Sequence, residues 1–385
     1  MTQIHEEAIK NGYESYCFYG RGKPTNDKCM KIDTKIEVLW HIFISRFFNM
    51  QGHGSIFATY RMIRKIKKIN PDIIHLHNLH GYYINYKILF RYIKKYDINL
   101  VWTLHDCWSF TGHCTYYTSS NCEKWKNICD VCKNNKEYPK AYLFMKRTKK
   151  EYLIKEKLIN SINKITLTVP SNWLKEQIGM SFLKNKRIKV IHNGIDTNIF
   201  KPTIDSNVKA KYGIPEDKKI ILGVAADWGE NKGIEYFKEL SRIVDDRCEV
   251  IVMVGLKEKQ IKKIPKNIIC IRRTENTEEL VKIYSISDVL FNPSIQETFS
   301  MVTLEALACG IPCIVMASTA TPELIKSKEY GIIESENKVE KFYKDIKNVF
   351  MNNKKTNEVK VDLKEYNIHL INNEYLKIYE EIIGD

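Results

Sequence analysis

The chain has 385 residues, 44% hydrophobic and 28% charged, enough to build two sizeable cores and too polar for a membrane-embedded body. Its net charge of +15 lies wholly in the first half: residues 1–200 hold 33 Lys and Arg against 16 Asp and Glu, and the remainder holds 28 against 30. The longest apolar run, residues 38–48, is broken by His41 and Arg46 and falls short of the ~20 residues a spanning helix needs, and residues 1–7 have neither the basic start nor the apolar core of an export signal.

Strand-like and helix-like segments alternate along the chain in the manner of two doubly wound α/β sheets. Residues 13–20, 72–77, 99–105 and 165–170 read as strands of the first, and 187–194 closes it. His75, His77, Asn78 and His80 follow one of these strands, and His105 lies at the carboxyl end of another, where open α/β sheets place ligands. A lone His there is otherwise a satisfied polar residue. The second sheet runs through residues 219–225, 248–255, 267–271, 288–292 and 312–316, after loop-like residues 196–207.

An insertion at residues 107–132 carries Cys114, Cys122, Cys129 and Cys132, with Cys107 and His113 as spare ligands. Four thiolates so close can enclose one zinc, with Cys129 and Cys132 as the chelating half; free cysteines are the rival reading. The eleven Cys favour reduced thiols or a metal over a disulfide framework. The N-terminal excess of Lys and Arg suits either an anionic membrane surface or a plain solvated one, and no nucleic-acid-binding module is recognisable.

In the second half, Lys232 follows a strand and precedes a helix, which puts an ammonium where a diphosphate could be held. Glu297 and Glu305 stand eight residues apart around the start of a helix closed by Gly310 and Pro312. The backbone N–H groups of Thr298, Phe299 and Ser300 are expected to face a diphosphate, and Glu305 to accept hydrogen bonds from vicinal ribose hydroxyls. A Glu in the Glu297 position can also simply complement the helix dipole.

This glutamate pair, together with the segments 75–83, 102–108, 190–196, 231–234 and 271–276 in that order, resembles retaining glycosyltransferases of family 4, and among them bacterial capsule and exopolysaccharide (colanic-acid-type) enzymes. The resemblance covers most of the chain. It implies the GT-B fold: an acceptor-side Rossmann-like domain, 1–195, joined by a return helix, 366–385, and a nucleotide-sugar-binding domain, 196–365, facing a cleft. It also implies a strand and a Gly-containing loop ahead of the first helix, whereas Met1 already begins in what reads as that helix. The first strand is therefore expected to be missing, through a late start or a truncation, leaving unpaired backbone groups at ~1–3 kcal/mol each and reduced activity.

The implied reaction is sugar transfer, with retention, from a nucleotide-diphosphate sugar to a glycan or polyprenyl-diphosphate-linked acceptor at the cytoplasmic side of a membrane. Glu297 and His105 would serve the transferred sugar, Lys232 the donor phosphates, and Asn78 and His80 the acceptor. The family's usual Arg five residues before the Lys is replaced by Asp227, with Arg272 or Arg273 as alternative cations. No Asp-x-Asp occurs, so catalysis is expected to need no metal. The rival readings are a nucleotide-sugar epimerase of the same fold and a non-catalytic or truncated partner subunit.

Overall fold

The computed structural model describes residues 1–142, 147–203, 205, 207–351 and 361–384. Parts of the expected linker and second domain, residues 204, 206 and 352–360, lie outside them. The chain divides into two compact units, Met1–His192 with Ile371–Asp385, and Asn193–Leu370.

The first unit opens with α1 (Thr2–Lys10), β1 (Cys17–Tyr19), β2 (Cys29–Lys31), α2 (Lys35–Phe48) and α3 (Ile56–Ile69). It continues with β3 (Ile73–Leu76), α4 (Tyr86–Lys95), β4 (Asn99–Thr103), α5 (Thr148–Asn160), β5 (Ile165–Val169), α6 (Asn172–Gly179) and β6 (Arg187–Val190). Helix starts follow local side chains: Thr34 and Glu37 form a reciprocal cap on α2, and Asn85 and Ser171 cap α4 and α6. Strands β3-β4-β5-β6 form one parallel sheet. Every residue of β5 is buried, as expected of a parallel strand covered on both faces. Leu89, Phe90 and Ile93 of α4 join Leu100 and Trp102 of β4 in the core.

Among the described residues, strands β1 and β2 pair only with each other, Cys17 opposite Cys29, in a separate parallel ladder. Between β1 and the edge strand β3 lies a cavity of about 320 Å³, lined by Cys17, Phe18, residues 73–77, Met62 and Ile66, by Met1 and by His5 of α1.

The second unit contains α7 (Asn207–Tyr212), β7 (Lys219–Val224), α8 (Ile234–Leu240), β8 (Glu249–Val254), α9 (Glu258–Ile261) and β9 (Ile268–Ile271). Then come α10 (Thr277–Ser285), β10 (Val289–Asn292), α11 (Met301–Ala308), β11 (Cys313–Met316), β12 (Gly331–Glu334) and α12 (Val339–Met351). The six strands are parallel in the order β12-β11-β10-β7-β8-β9. Starting at β7 the chain winds outward to β9, then returns to β10 on the other side, so β7 and β10 flank the point where strand order reverses. Ligands of such sheets bind outside the carboxyl ends of those two strands.

The last helix, α13 (Ile368–Gly384), starts two residues later than expected, because the Tyr366 carbonyl accepts from Ile195 N–H inside the second unit. Its residues Ile371, Tyr375 and Ile378 pack with Val101 and Ile191 of the first unit.

Candidate functional site

Outside the carboxyl end of β7 a single turn, Glu230–Lys232, ends at Gly233 with φ 71°. A Cβ on Gly233 would lie 2.6 Å from Pro293 Cγ and 2.8 Å from its carbonyl oxygen, so only glycine permits this approach. Two further contacts seal it: Ile295 N–H and Ser294 Oγ both donate to the Asn231 carbonyl at 3.1 Å. The loop after β10 is thereby clamped to the turn after β7. Lys232 Nζ then donates to Glu297 Oε1 at 2.5 Å, the Lys side chain 35% and the Glu side chain 11% exposed. Glu297 is fixed from behind as well, its N–H donating to Thr319 Oγ1 at 3.0 Å and its carbonyl accepting from Ala320 N–H at 3.2 Å. Thr319 holds φ 52°, a left-handed conformation that a β-branched residue rarely adopts.

Thr298, Phe299 and Ser300 are buried at the entry to α11. Ser300 Oγ accepts from Asn292 Nδ2 at 3.0 Å and meets Thr303 Oγ1 at 3.0 Å, which ties the helix start to the end of β10. Glu305, further along α11, accepts from the Tyr284 hydroxyl at 2.9 Å. Burial pushes its carboxyl up to about 7, against the Tyr284 hydrogen bond. The two glutamates therefore have different characters, Glu297 ion-paired and Glu305 held by burial near the midpoint of its titration at pH 7. Asp227 pairs with Lys257 at 2.6 Å, and Arg272 pairs with Glu258 at 2.5 Å, so the cation facing the Asp227 position comes from Lys257.

In the first unit, His105 follows β4 and stacks on His77, ring centroids 5.3 Å apart, with His77 Nδ1 and His105 Nε2 3.0 Å apart. Burial lowers His105 to about 4 and His75 to about 3, and takes His77 well below its ordinary value, so all three are neutral at pH 7. His75, a half-buried residue lining the cavity beside β3, meets Thr103 Oγ1 at 2.7 Å and Tyr379 of α13 at 2.6 Å, which ties it to the last helix. His80 Nε2 and Asp106 Oδ2 form a 2.6 Å pair. Burial opposes ionisation of Asp106, but the His80 ring and the Trp108 N–H outweigh it and hold the carboxyl below its usual range. Asn78 is exposed, and its carbonyl accepts from Tyr83. The expected acceptor-side residues thus split: His80 sits in a polar pair with Asp106, and Asn78 stands on the surface.

Of the four expected zinc ligands in the insertion, Cys114 and Cys129 are buried and Cys122 and Cys132 are half-buried, all packed in the apolar core of the first unit. The Cys114 thiol hydrogen-bonds to Cys132, which raises Cys114 and lowers Cys132. Backbone N–H groups of Gly112 and Asn134 point at the sulfurs of Cys129 and Cys132. His113 is engaged elsewhere, with Asn49 and Gln51. Among the described residues, the set of three ligand atoms within 4.8 Å of one another is His5, Cys17 and Cys29; the four cysteines of the expected zinc site do not form such a set.

Sequence reasoning missed Tyr284, Thr319, Asp106 and Lys257. Each lies far along the chain from the residue it holds, or is a common polar residue without a local signature. Only Asp106 carried a signal, its place directly after His105 at a strand end.

A model described as Glycosyltransferase Family 4 matches residues 1–199, and one described as Glycosyl transferases group 1 matches residues 205–367. The chain is 26% identical over 353 residues to WcaC of Escherichia coli K12, a glycosyl transferase assigned to colanic acid biosynthesis, covering 87% of this chain and 83% of that one. Sucrose-phosphate synthase from Thermosynechococcus elongatus superposes with a TM-score of 0.71 at 14% identity, over 99% of this chain and 92% of that one. Anabaena HepE in complex with UDP gives 0.61 at 14% identity, over 86% and 85%. At such identities these structures speak for the fold, two Rossmann-like parallel-sheet domains of GT-B type. Its N-terminal half matched by that family's model and its C-terminal half by the group 1 transferase model, the chain belongs to glycosyltransferase family 4.

Proposed function

We propose that the chain transfers a sugar, with retention, from a nucleotide-diphosphate sugar to a glycan or polyprenyl-diphosphate-linked acceptor in surface polysaccharide synthesis, on the cytoplasmic side of a membrane. The observation that carries this reading is the Lys232–Glu297 pair, held outside β7 and β10 where the strand order reverses. Lys232 neutralises the departing diphosphate, helped by the amides of Thr298, Phe299 and Ser300. Glu297, relieved of its Lys partner by the phosphates, orients the donor sugar and stabilises charge at its reacting carbon. Glu305 takes the ribose hydroxyls. His105, neutral at working pH, hydrogen-bonds a hydroxyl of the transferred sugar. The C1–O bond to the diphosphate breaks, the acceptor oxygen bonds to C1 on the same face, and the acceptor proton goes to the departing phosphate oxygen. This chemistry calls for no metal.

The test is release of nucleoside diphosphate by the full chain from a panel of nucleotide sugars with a lipid-linked acceptor, and the anomeric coupling constant of the product. A product with the donor's anomeric configuration supports the reading. Inversion refutes retention, and no release with any donor refutes transferase activity in favour of a non-catalytic subunit.

We also propose that Cys114, Cys122, Cys129 and Cys132 hold a structural zinc. Cys114 and Cys132 hydrogen-bond to each other, and the backbone amides aimed at the sulfurs of Cys129 and Cys132 are the kind of donors that thiolates require; metal binding would draw all four sulfurs together. Metal analysis of the purified chain should give near-stoichiometric zinc, with a lower Tm after chelation; zinc-free protein of unchanged Tm would end the proposal.

A further inference from the structure

Helix α2 is built inside out. Ile36, Trp40, Phe43 and Phe47 recur at helical spacing and form one outward stripe, with Leu39 beside it. Ile36 is 79%, Leu39 66% and Trp40 58% exposed, whereas the buried side holds His41, Ile44 and Ser45. The outward rings touch one another: Trp40 and Phe43 have centroids 5.6 Å apart, Phe43 and Phe47 4.9 Å, and Phe47 and the exposed Tyr142 6.5 Å. The patch extends onto α3, because Arg61 reaches Glu37 at 2.6 Å and Phe57, one turn earlier on the same face, is 74% exposed. An apolar surface of this size on one helix face marks an interaction site.

The charges around it identify the partner. Residues 35–69 hold seven Lys or Arg and a single acid, Glu37. A second copy of the chain would bring two such positive faces together, a repulsive arrangement. An anionic bilayer meets both requirements at once: its headgroups attract Lys and Arg, and its interfacial zone favours Trp and Phe. We propose that α2 and the start of α3 form a docking surface for an anionic lipid bilayer, with Leu39, Trp40 and Phe43 seated at the acyl-chain boundary and basic side chains such as Lys35, Arg46 and Arg64 among the headgroups. The proposal gives a surface to the membrane contact in the functional reading, and it stands independently of the transfer chemistry. No helix among the described residues is long and apolar enough to cross a membrane, so this contact lies on the bilayer rather than through it.

The experiment is co-sedimentation of the full chain with vesicles of phosphatidylcholine alone and of phosphatidylcholine mixed with phosphatidylglycerol. Binding is expected to the anionic vesicles and to weaken with salt. Trp40→Ser with Phe43→Ser should lower it about tenfold or more, and Arg64→Glu with Lys65→Glu should lower it and flatten the salt dependence. Nucleoside diphosphate release to a water-soluble acceptor should persist in both variants, which separates failure of docking from failure of the transferase reading. Should the serine variant not fold, quenching of fluorescence by brominated lipids provides the second readout, strong in the natural chain and reduced in Trp40→Phe. Equal binding to neutral and anionic vesicles, binding unaffected by the serine pair, or a dimer that the serine pair dissociates without any vesicle binding would each overturn the proposal.

Discussion

At the residue scale, Lys232 and Glu297 form a charge pair, and in the proposed reaction its partners are exchanged, the ammonium gaining phosphate and the carboxylate gaining sugar. Removing either should damage the transition state more than donor affinity. Glu297→Gln is expected to lower kcat by ~10²–10³ with KM little changed, and Lys232→Ala to lower kcat/KM by a similar factor, measured by nucleoside diphosphate release. Glu305 makes a prediction of a different kind. Its carboxyl, raised by burial to about 7, binds a proton more tightly folded than unfolded. The penalty for ionising it is absent below the unfolded value near 4.5 and complete above about 7, where it costs on the order of 3 kcal/mol. Glu305→Gln should therefore raise the urea midpoint at pH 8 relative to the natural chain and leave it unchanged at pH 4. A gain at both pH values would show that ionisation is not the cause. The spacing of the two glutamates was readable in the sequence. Their different surroundings were not, because those depend on Lys232, 65 residues from Glu297, and on the burial of Glu305 beside Tyr284, 21 residues away.

At the scale of elements, the site exists because two loops are locked together. Gly233 is the lock, by its φ of 71° and the absence of a Cβ against Pro293. Gly233→Ala should cost ~1–3 kcal/mol in urea unfolding and should lower turnover as well, since Lys232 is the residue before it. A stability loss with full turnover would mean that the clamp does not position the ammonium. The strands that frame this site were legible as apolar runs ended by Pro or Gly, and β10 and β11 fell within a residue of where such runs place them. β2 and β12 escaped because they lack the run: β2 is three residues with one exposed, and β12 mixes buried and exposed positions and opens with a glycine at φ 145°. Likewise the outward stripe of α2 reads in sequence as an ordinary amphipathic helix; only the structure shows its apolar side facing out.

At the scale of the whole molecule, both units are doubly wound parallel sheets, and they differ in the continuity of the sheet. The second unit carries a continuous six-stranded sheet with the reversal of order beside its centre. The first carries two strands and four strands, with a cavity between β1 and β3 where a strand would complete the same plan, in the order β2-β1-new-β3-β4-β5-β6. β1 and β3 both run in parallel ladders, so an inserted strand could pair with each, and its side chains would meet Met62 and Ile66 rather than water. Met1 lines the same cavity, which makes its amine the natural point of attachment. Fusing a short extended apolar segment of Val and Ile, followed by a Gly-containing turn, ahead of Met1 should raise Tm by ~5 °C or more, as two new ladders form and the cavity fills. A Gly and Ser segment of equal length supplies the same chain without the side chains and should leave Tm unchanged. Should the apolar segment also leave Tm unchanged, or should both segments raise it equally, the gap would be a packing feature complete in itself, and the two-plus-four arrangement would be the stable form of this sheet.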